Sequence, residues 1–276
     1  MNISIIYNDF LKVSSYVNNV NNYKTGLQRS GFKVSLLPSS KIITDGTVPD
    51  FNLCLFLDKD ILIAEYLENC GVRVINSSRN IRICDDKALT YITLLNKVTM
   101  PKTIVSPFAF GNTVERPHIP FKYPYIIKET KGSLGEQVYL IKNEYDLKST
   151  LSSCKNTRYI VQEYLEGGNS DIRVIVIGGK SVCAMRRTNS TDFRSNAEQG
   201  GICFPFSLTR EISDMAEKVS KELKLDFCGV DIIISNQVPY LIEINSNPFI
   251  NNITKVTNTD VAEFVGEYIK KNAAKL

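Results

Sequence analysis

Apolar runs alternating with amphipathic stretches organise the first third of the chain. Residues 2–7, N-I-S-I-I-Y, read as an opening strand, Tyr16–Ser30 as a helix stopped by Gly31, and F-K-V-S-L-L as a second strand. Phe51–Leu57 gives a third strand, I-L-I-A-E-Y-L-E-N-C a helix closed by Gly71, and Val72–Asn76 a fourth strand. This alternation predicts a small parallel α/β sheet up to about residue 85. N-D-F-L stands after the first strand, where a dinucleotide site would carry G-x-G-x-x-G, so that use is not expected.

The pattern then changes. Asp85-Asp86-Lys87 opens a helix over Ala88–Asn96, with acids placed as cap and dipole partner. A loop rich in Pro and Phe leads to the strand P-Y-I-I-K-E, which carries Lys128. In the following K-G-S-L-G-E-Q-V, Gly132 and Gly135 let backbone N–H groups turn toward an anion and Ser133 adds a hydroxyl, although an ordinary hairpin has the same spacing. The strands V-Y-L-I, Arg158–Leu165, D-I-R-V-I-V-I and S-V-C-A-M-R-R follow, then a polar loop bearing Arg194 and Asn196. Leu208–Leu223 reads as a helix with Thr209 as N-cap and Ile212, Met215, Ala216, Val219 and Leu223 as its core stripe; Val261–Ile269 is a closing helix. Three units are expected, over residues 1–85, 86–163 and 164–276.

Val230–Ile234 and Tyr240–Ile244 are short β-branched or aromatic runs separated by Ser-Asn-Gln-Val-Pro, which predicts a hairpin. Asp231, Glu243 and Asn245 lie within or beside these apolar strands, where a charge needs compensation. Glu243 and Asn245 share a strand face, and a loop of about five residues would set Asp231 opposite Glu243. Two carboxylates and an amide oxygen suit a hard dication such as Mg²⁺ that completes its shell with waters and phosphates. The competing reading pairs both acids with arginines. Arg186, Arg187 and Arg194 precede the hairpin, and cations beside a metal suit a transferring phosphoryl group.

Composition narrows the classes. With 43% hydrophobic residues, 22% charged residues and a net charge of +4, the chain reads as globular and offers no dense basic block for nucleic acid or membrane. Seven cysteines without C-x-x-C spacing argue against a disulfide framework or zinc site. With no basic leader and no apolar run near the ~20 residues of a span, the expectation is a cytoplasmic protein. The single histidine, His118, sits in R-P-H-I-P, a poor place for a general base.

From D-D-K-A-L-T at residue 85 onward, the order of motifs resembles the ATP-grasp superfamily and, within it, the RimK-like carboxylate-amine ligases. The sharpest matches are G-N-S-D-I-R-V at 168–174, D-F-R-S-N-A-E-Q-G-G at 192–201, and C-G-V-D with E-I-N-S-N-P in the hairpin. The resemblance implies an ATP-grasp fold, with an N-terminal parallel-sheet α/β unit and two α+β lobes sandwiching ATP. It places Lys87, Lys128 and the loop of Gly132, Ser133 and Gly135 on the phosphates, Gln162, Glu163 and Leu165 on the adenine, and Asp171 on the ribose. Asp231, Glu243 and Asn245 match the ligands of Mg²⁺, with Mn²⁺ as an alternative. Arg187, Arg194 and Asn196 resemble groups facing the γ-phosphate and acyl-phosphate. Relatives carry a basic residue at Gln199 and a Pro-Gly at Pro248-Phe249, so the acceptor is expected to differ.

The implied reaction joins a carboxylate, on a small molecule, peptide or carrier protein, to an amine such as an amino acid through an acyl phosphate, releasing ADP and phosphate. Phosphotransfer to a hydroxyl and a non-catalytic ATP-binding module are the alternatives. A homo-oligomer is compatible with either.

Overall fold

The computed structural model describes residues 1–107, 118–132, 137–154, 157–167, 169–190, 192–194 and 201–273. Its first sheet contains β1 (Asn2–Tyr7), β2 (Lys33–Pro38), β3 (Leu53–Leu57) and β4 (Arg73–Ile75), all parallel, in the order β2-β1-β3-β4. All five residues of β3 are buried, as expected of an apolar strand inside a covered parallel sheet. Helices α1 (Ser14–Arg29) and α2 (Ile61–Asn69) make the crossovers β1 to β2 and β3 to β4. Two shorter helices follow, α3 (Ser78–Cys84) and α4 (Lys87–Leu94). Asp86 alone caps α4, its Oδ1 accepting from the Ala88 and Leu89 N–H groups at 2.9 and 3.1 Å. Asp85 instead ends α3 and pairs with Lys59 at 3.0 Å. This division of labour puts Lys87 in the first turn of α4.

The second sheet is antiparallel, in the order β5-β8-β6-β7, from β5 (Thr103–Val105), β6 (Tyr125–Glu129), β7 (Val138–Ile141) and β8 (Tyr159–Glu163). Helix α5 (Glu144–Ser153) covers it, with Leu147 and Leu151 packed among Tyr125, Ile127 and Val161. Neither β5 nor α5 is expected from the hydrophobic pattern. β5 is only three residues long, and α5 is polar apart from exposed Tyr145 and those two leucines one turn apart.

The third sheet, also antiparallel, has the order β11-β10-β9-β12-β13, from β9 (Ser170–Ile177), β10 (Lys180–Thr188), β11 (Ile202–Pro205), β12 (Phe227–Ser235) and β13 (Val238–Asn245). Helix α6 (Arg210–Leu223) lays Ile212, Ala216, Val219 and Leu223 on Val174, Val176, Val230 and Ile232, and Thr209 caps it through the Ile212 N–H at 3.4 Å. A short helix, α7 (Asn251–Thr257), precedes α8 (Val261–Ala273). On the other face of this sheet, Ile175, Ile177 and Phe227 join Val265 and Ile269 of α8, Tyr23 and Leu27 of α1, and Ile3 and Ile5 of β1 in one core. The first and third sheets therefore share an interior.

Gly26 permits the contact of α1 with α8. A Cβ there would stand 2.6 Å from the Ala262 carbonyl carbon and 2.7 Å from the Glu263 nitrogen, and backbone cannot step aside as a flexible side chain can. Gly26→Ala is expected to cost about 1–3 kcal/mol despite the better helix propensity of alanine, read as a lower denaturant midpoint.

Register in the hairpin is reached by a different route from the one expected. Asp231 does pair with Glu243, but Asn236 and Gln237 alone make the turn, both at positive φ (49° and 65°) as a type I′ turn requires. A bulge between Asp231 and Ile232 supplies the shift that a longer loop would have made.

Candidate active site

A cleft opens between the second and third sheets. Its walls bring together Lys87, Lys128, Gln162, Glu163, Leu165 and Asp171 with Arg194, Asp231 and Glu243, around an apolar floor that includes Ile126, Val138, Ile233 and Ile242. Strand alternation explains the assembly: Lys128 and Ile126 lie two apart on β6, as Asp231 and Ile233 do on β12. Ser133, Gly135, Asn196 and the departure at Gln199 lie outside the described residues.

One wall is basic. Lys128 is buried and donates from Nζ to Gln162 Oε1 at 2.8 Å, while Gln162 Nε2 donates to Thr103 Oγ1 at 2.9 Å. Both ends of the Gln162 amide thus hold Lys128 in place. Burial lowers the Lys128 pKa to about 8, the nearby Glu243 charge opposing and Lys87 reinforcing the shift. Such an ammonium is poorly solvated and gains from an incoming phosphate. Lys87 is tied to the second sheet by its N–H to Thr130 O at 2.8 Å, and its Nζ reaches Gly132 O at 3.2 Å. Beside the apolar floor, the Glu163 N–H is taken by Lys102 O at 3.0 Å and its side chain accepts from Lys102 N at 2.7 Å.

On the facing wall Asp171 and Asp231 line the cleft, and Arg187 and Arg173 lie behind them, bordering a separate small cavity rather than the cleft. Arg187 Nε and Nη2 meet Asp171 Oδ1 and Oδ2 at 2.7 and 2.5 Å, and the same Nη2 lies 2.9 Å from Asp231 Oδ2. Arg173 makes a second bidentate pair with Asp231, both bonds at 2.7 Å. Burial alone would raise the Asp231 carboxyl, but Arg173 and Arg187 outweigh it and hold the group down at about 2. Burial works against the Arg187 charge in turn, and Asp231 and Asp171 more than restore it, raising its pKa. Asp171 lines the cleft while bonded to Arg187. Arg194 stands at the rim, paired with Asp192 at 2.7 Å. Exposed His118 takes no place in the cleft.

Arg173 is the residue that motif reading left without a role. Its position two residues after Asp171 on an otherwise apolar strand, hence on the same face, was the available signal. The sequence predicts only a cap for Asp85, yet it sits close enough to Glu243 and Lys87 to feel both charges, with burial as the main force raising its carboxyl.

The donor set on the hairpin suits a hard dication. Glu243 lines the cleft, and among the described residues it makes no ion pair; Asn245 Nδ2 donates to Asp231 Oδ2 at 3.3 Å, joining the amide to the carboxylate pair. Among the described residues no three acidic, histidine or cysteine side chains form a cage that would hold a metal alone. Two carboxylates and an amide fit a cation that arrives with phosphates and waters. The competing arginine reading describes Asp231 but not Glu243.

The fold is shared with known ATP-using ligases. D-alanine–D-alanine ligase from Bacillus anthracis, solved with ATP, superposes with a TM-score of 0.77 over 100% of this chain and 98% of its own, at 17% identity. The RimK-like ATP-grasp domain family matches residues 84–269, and the chain belongs to that family. It is 35% identical to a probable alpha-L-glutamate ligase of Maridesulfovibrio salexigens, over 76% of this chain and 71% of the relative. It is also 33% identical to the uncharacterized protein MG012 homolog of Mycoplasma pneumoniae, over 94% and 96%. The protein is thus a member of an ATP-grasp ligase family. No helix among the described residues is long and apolar enough to cross a membrane.

Proposed function

We propose that the protein joins a carboxylate to an amine at the expense of ATP, through an acyl phosphate. The observation that carries this reading is the single cleft in which Lys87 and Lys128 face Asp231 and Glu243, because phosphoryl transfer needs positioning and charge neutralisation rather than a protein nucleophile. Lys87 and Lys128 bind the nucleotide phosphates, and the apolar floor takes the base. Asp231, Glu243 and Asn245 would hold Mg²⁺, which when bound neutralises charge on the phosphates.

Transfer breaks the bond between the γ-phosphorus and the bridging oxygen and forms one to the carboxylate oxygen. The amine then attacks the acyl carbon, phosphate leaves, and the amine proton passes to solvent. Arg187 and Arg194 steady the phosphoryl oxygens during both steps. A small cavity on the other side of the arginine pair, lined by Ser15, Arg173, Arg187, Phe249 and Asn251, is where the acceptor approaches. The name of the M. salexigens relative makes glutamate the first amine to test.

The test is phosphate release across pairs of carboxylates and amines, with products weighed by mass spectrometry. The expected result is ADP and phosphate only when both substrates are present. Formation of AMP and pyrophosphate, or of a stable phosphate ester from a hydroxyl acceptor alone, would overturn the reading.

A further inference from the structure

We propose that Asn76, in the first sheet, is a positioning residue that sets the metal-holding end of the hairpin; the inference rests on the metal reading of Asp231, Glu243 and Asn245 given above. Asn76 directly follows β4 and is 1% exposed. Its Oδ1 accepts from the N–H groups of Asp226 and Phe227 at 2.8 and 3.4 Å, and its Nδ2 donates to Phe227 O and Ser246 O, both at 2.8 Å. That exhausts the two donors and two acceptor sites of an amide. The partners stand at the start of β12 and one residue beyond the end of β13, so one side chain from another sheet bridges both strands of the hairpin.

The chain after Asn245 leaves the third sheet, and its backbone polar groups lose their ladder partners there. The first sheet and α1 supply replacements at intervals of two residues. Asn76 takes Ser246 O, the Tyr23 hydroxyl donates to Pro248 O at 3.2 Å, and Asn19 Oδ1 accepts from the Ile250 N–H at 2.8 Å. Residues 246–250 are therefore gripped from one side at three points, the first of them adjacent to Asn245. A general stabilising contact would not need to meet this segment so regularly. A second tie between the same elements provides the contrast: Arg73 Nη2 holds the Asp226 carboxylate at 2.8 and 3.0 Å, with the Tyr268 hydroxyl at 3.0 Å, and neither side chain bonds to residue 246.

The test compares Asn76→Asp, which loses both donors, with Arg73→Leu and with the mild Tyr23→Phe. Binding of Mn²⁺ in the presence of ADP is measured by the paramagnetic resonance of the free ion, beside the melting temperature. Asn76→Asp is expected to weaken Mn²⁺ binding about tenfold or more, the usual range for a group that orients a ligand without touching the metal. Tyr23→Phe is expected to weaken it less, in the same direction, and Arg73→Leu to lower the melting temperature with Mn²⁺ binding unchanged. Wild-type Mn²⁺ affinity in Asn76→Asp, or in Tyr23→Phe should the first variant not fold, overturns the inference. An equal loss in Arg73→Leu does the same. If the native protein with ADP binds no Mn²⁺ in a Glu243-dependent way, the metal reading fails and the positioning role falls with it.

Discussion

Replacing Glu243 by Gln is expected to lower Mg²⁺-dependent ATP turnover by about 10²–10³-fold or more while leaving the melting temperature of the ligand-free protein unchanged or raised. The substitution keeps the volume and shape of the side chain, removes one negative charge and turns one acceptor oxygen into an N–H donor. Among the described residues no arginine pairs with Glu243, so none is left uncompensated. Its charge acts on Asp85 and Lys128, raising the carboxyl of the first and supporting the ammonium of the second, and these effects on stability oppose each other. Turnover at saturating ATP over a Mg²⁺ titration and thermal unfolding without ligand give the two readouts. A large drop in melting temperature would identify Glu243 as part of a structural ion network instead.

Arg187→Met should do the reverse and damage the fold first. Asp171 and Asp231 flank this guanidinium, and all three groups are buried. With Arg187 gone, Asp171 loses its only ion-pair partner among the described residues and Asp231 is left with Arg173 alone. Stranding a buried charge costs roughly 3–5 kcal/mol, a large part of the stability of an ordinary domain. Denaturant unfolding of the native protein and Arg187→Met at pH 7 measures the cost. A variant as stable as the native protein at pH 7 would mean that solvent reaches the network.

The gathering of acids and an amide on the hairpin was legible because charge in β-branched strands needs compensation, and the pairing of Asp231 with Glu243 followed from strand periodicity. The turn that produces it was not. Asn236 and Gln237 at positive φ, offset by a bulge, give the same register as a longer loop, and the hydrophobic pattern cannot separate the two. Lys128 and the Gly132 loop could be proposed from sequence, whereas the anchoring of Lys128 by Gln162 and Thr103 depends on strands β6, β8 and β5 lying side by side. Arg173 and Asn76 escaped for the same reason. Each acts on a partner far along the chain, Arg173 at a separation of 58 residues and Asn76 on Ser246 at 170, and neither forms a local motif.

The interior common to the first and third sheets also bears on how the chain is made. Tyr23 and Leu27 of α1 are buried in part by Val265 and Ile269 of α8, and Arg29 meets Asp260 across 231 residues of sequence. A nascent chain emerging from the ribosome exposes α1 and β1 long before α8 exists to cover them. The start of the chain must then wait, with an apolar helix face open to solvent, for contacts of very high sequence separation, the circumstance in which slow folding and chaperone dependence arise.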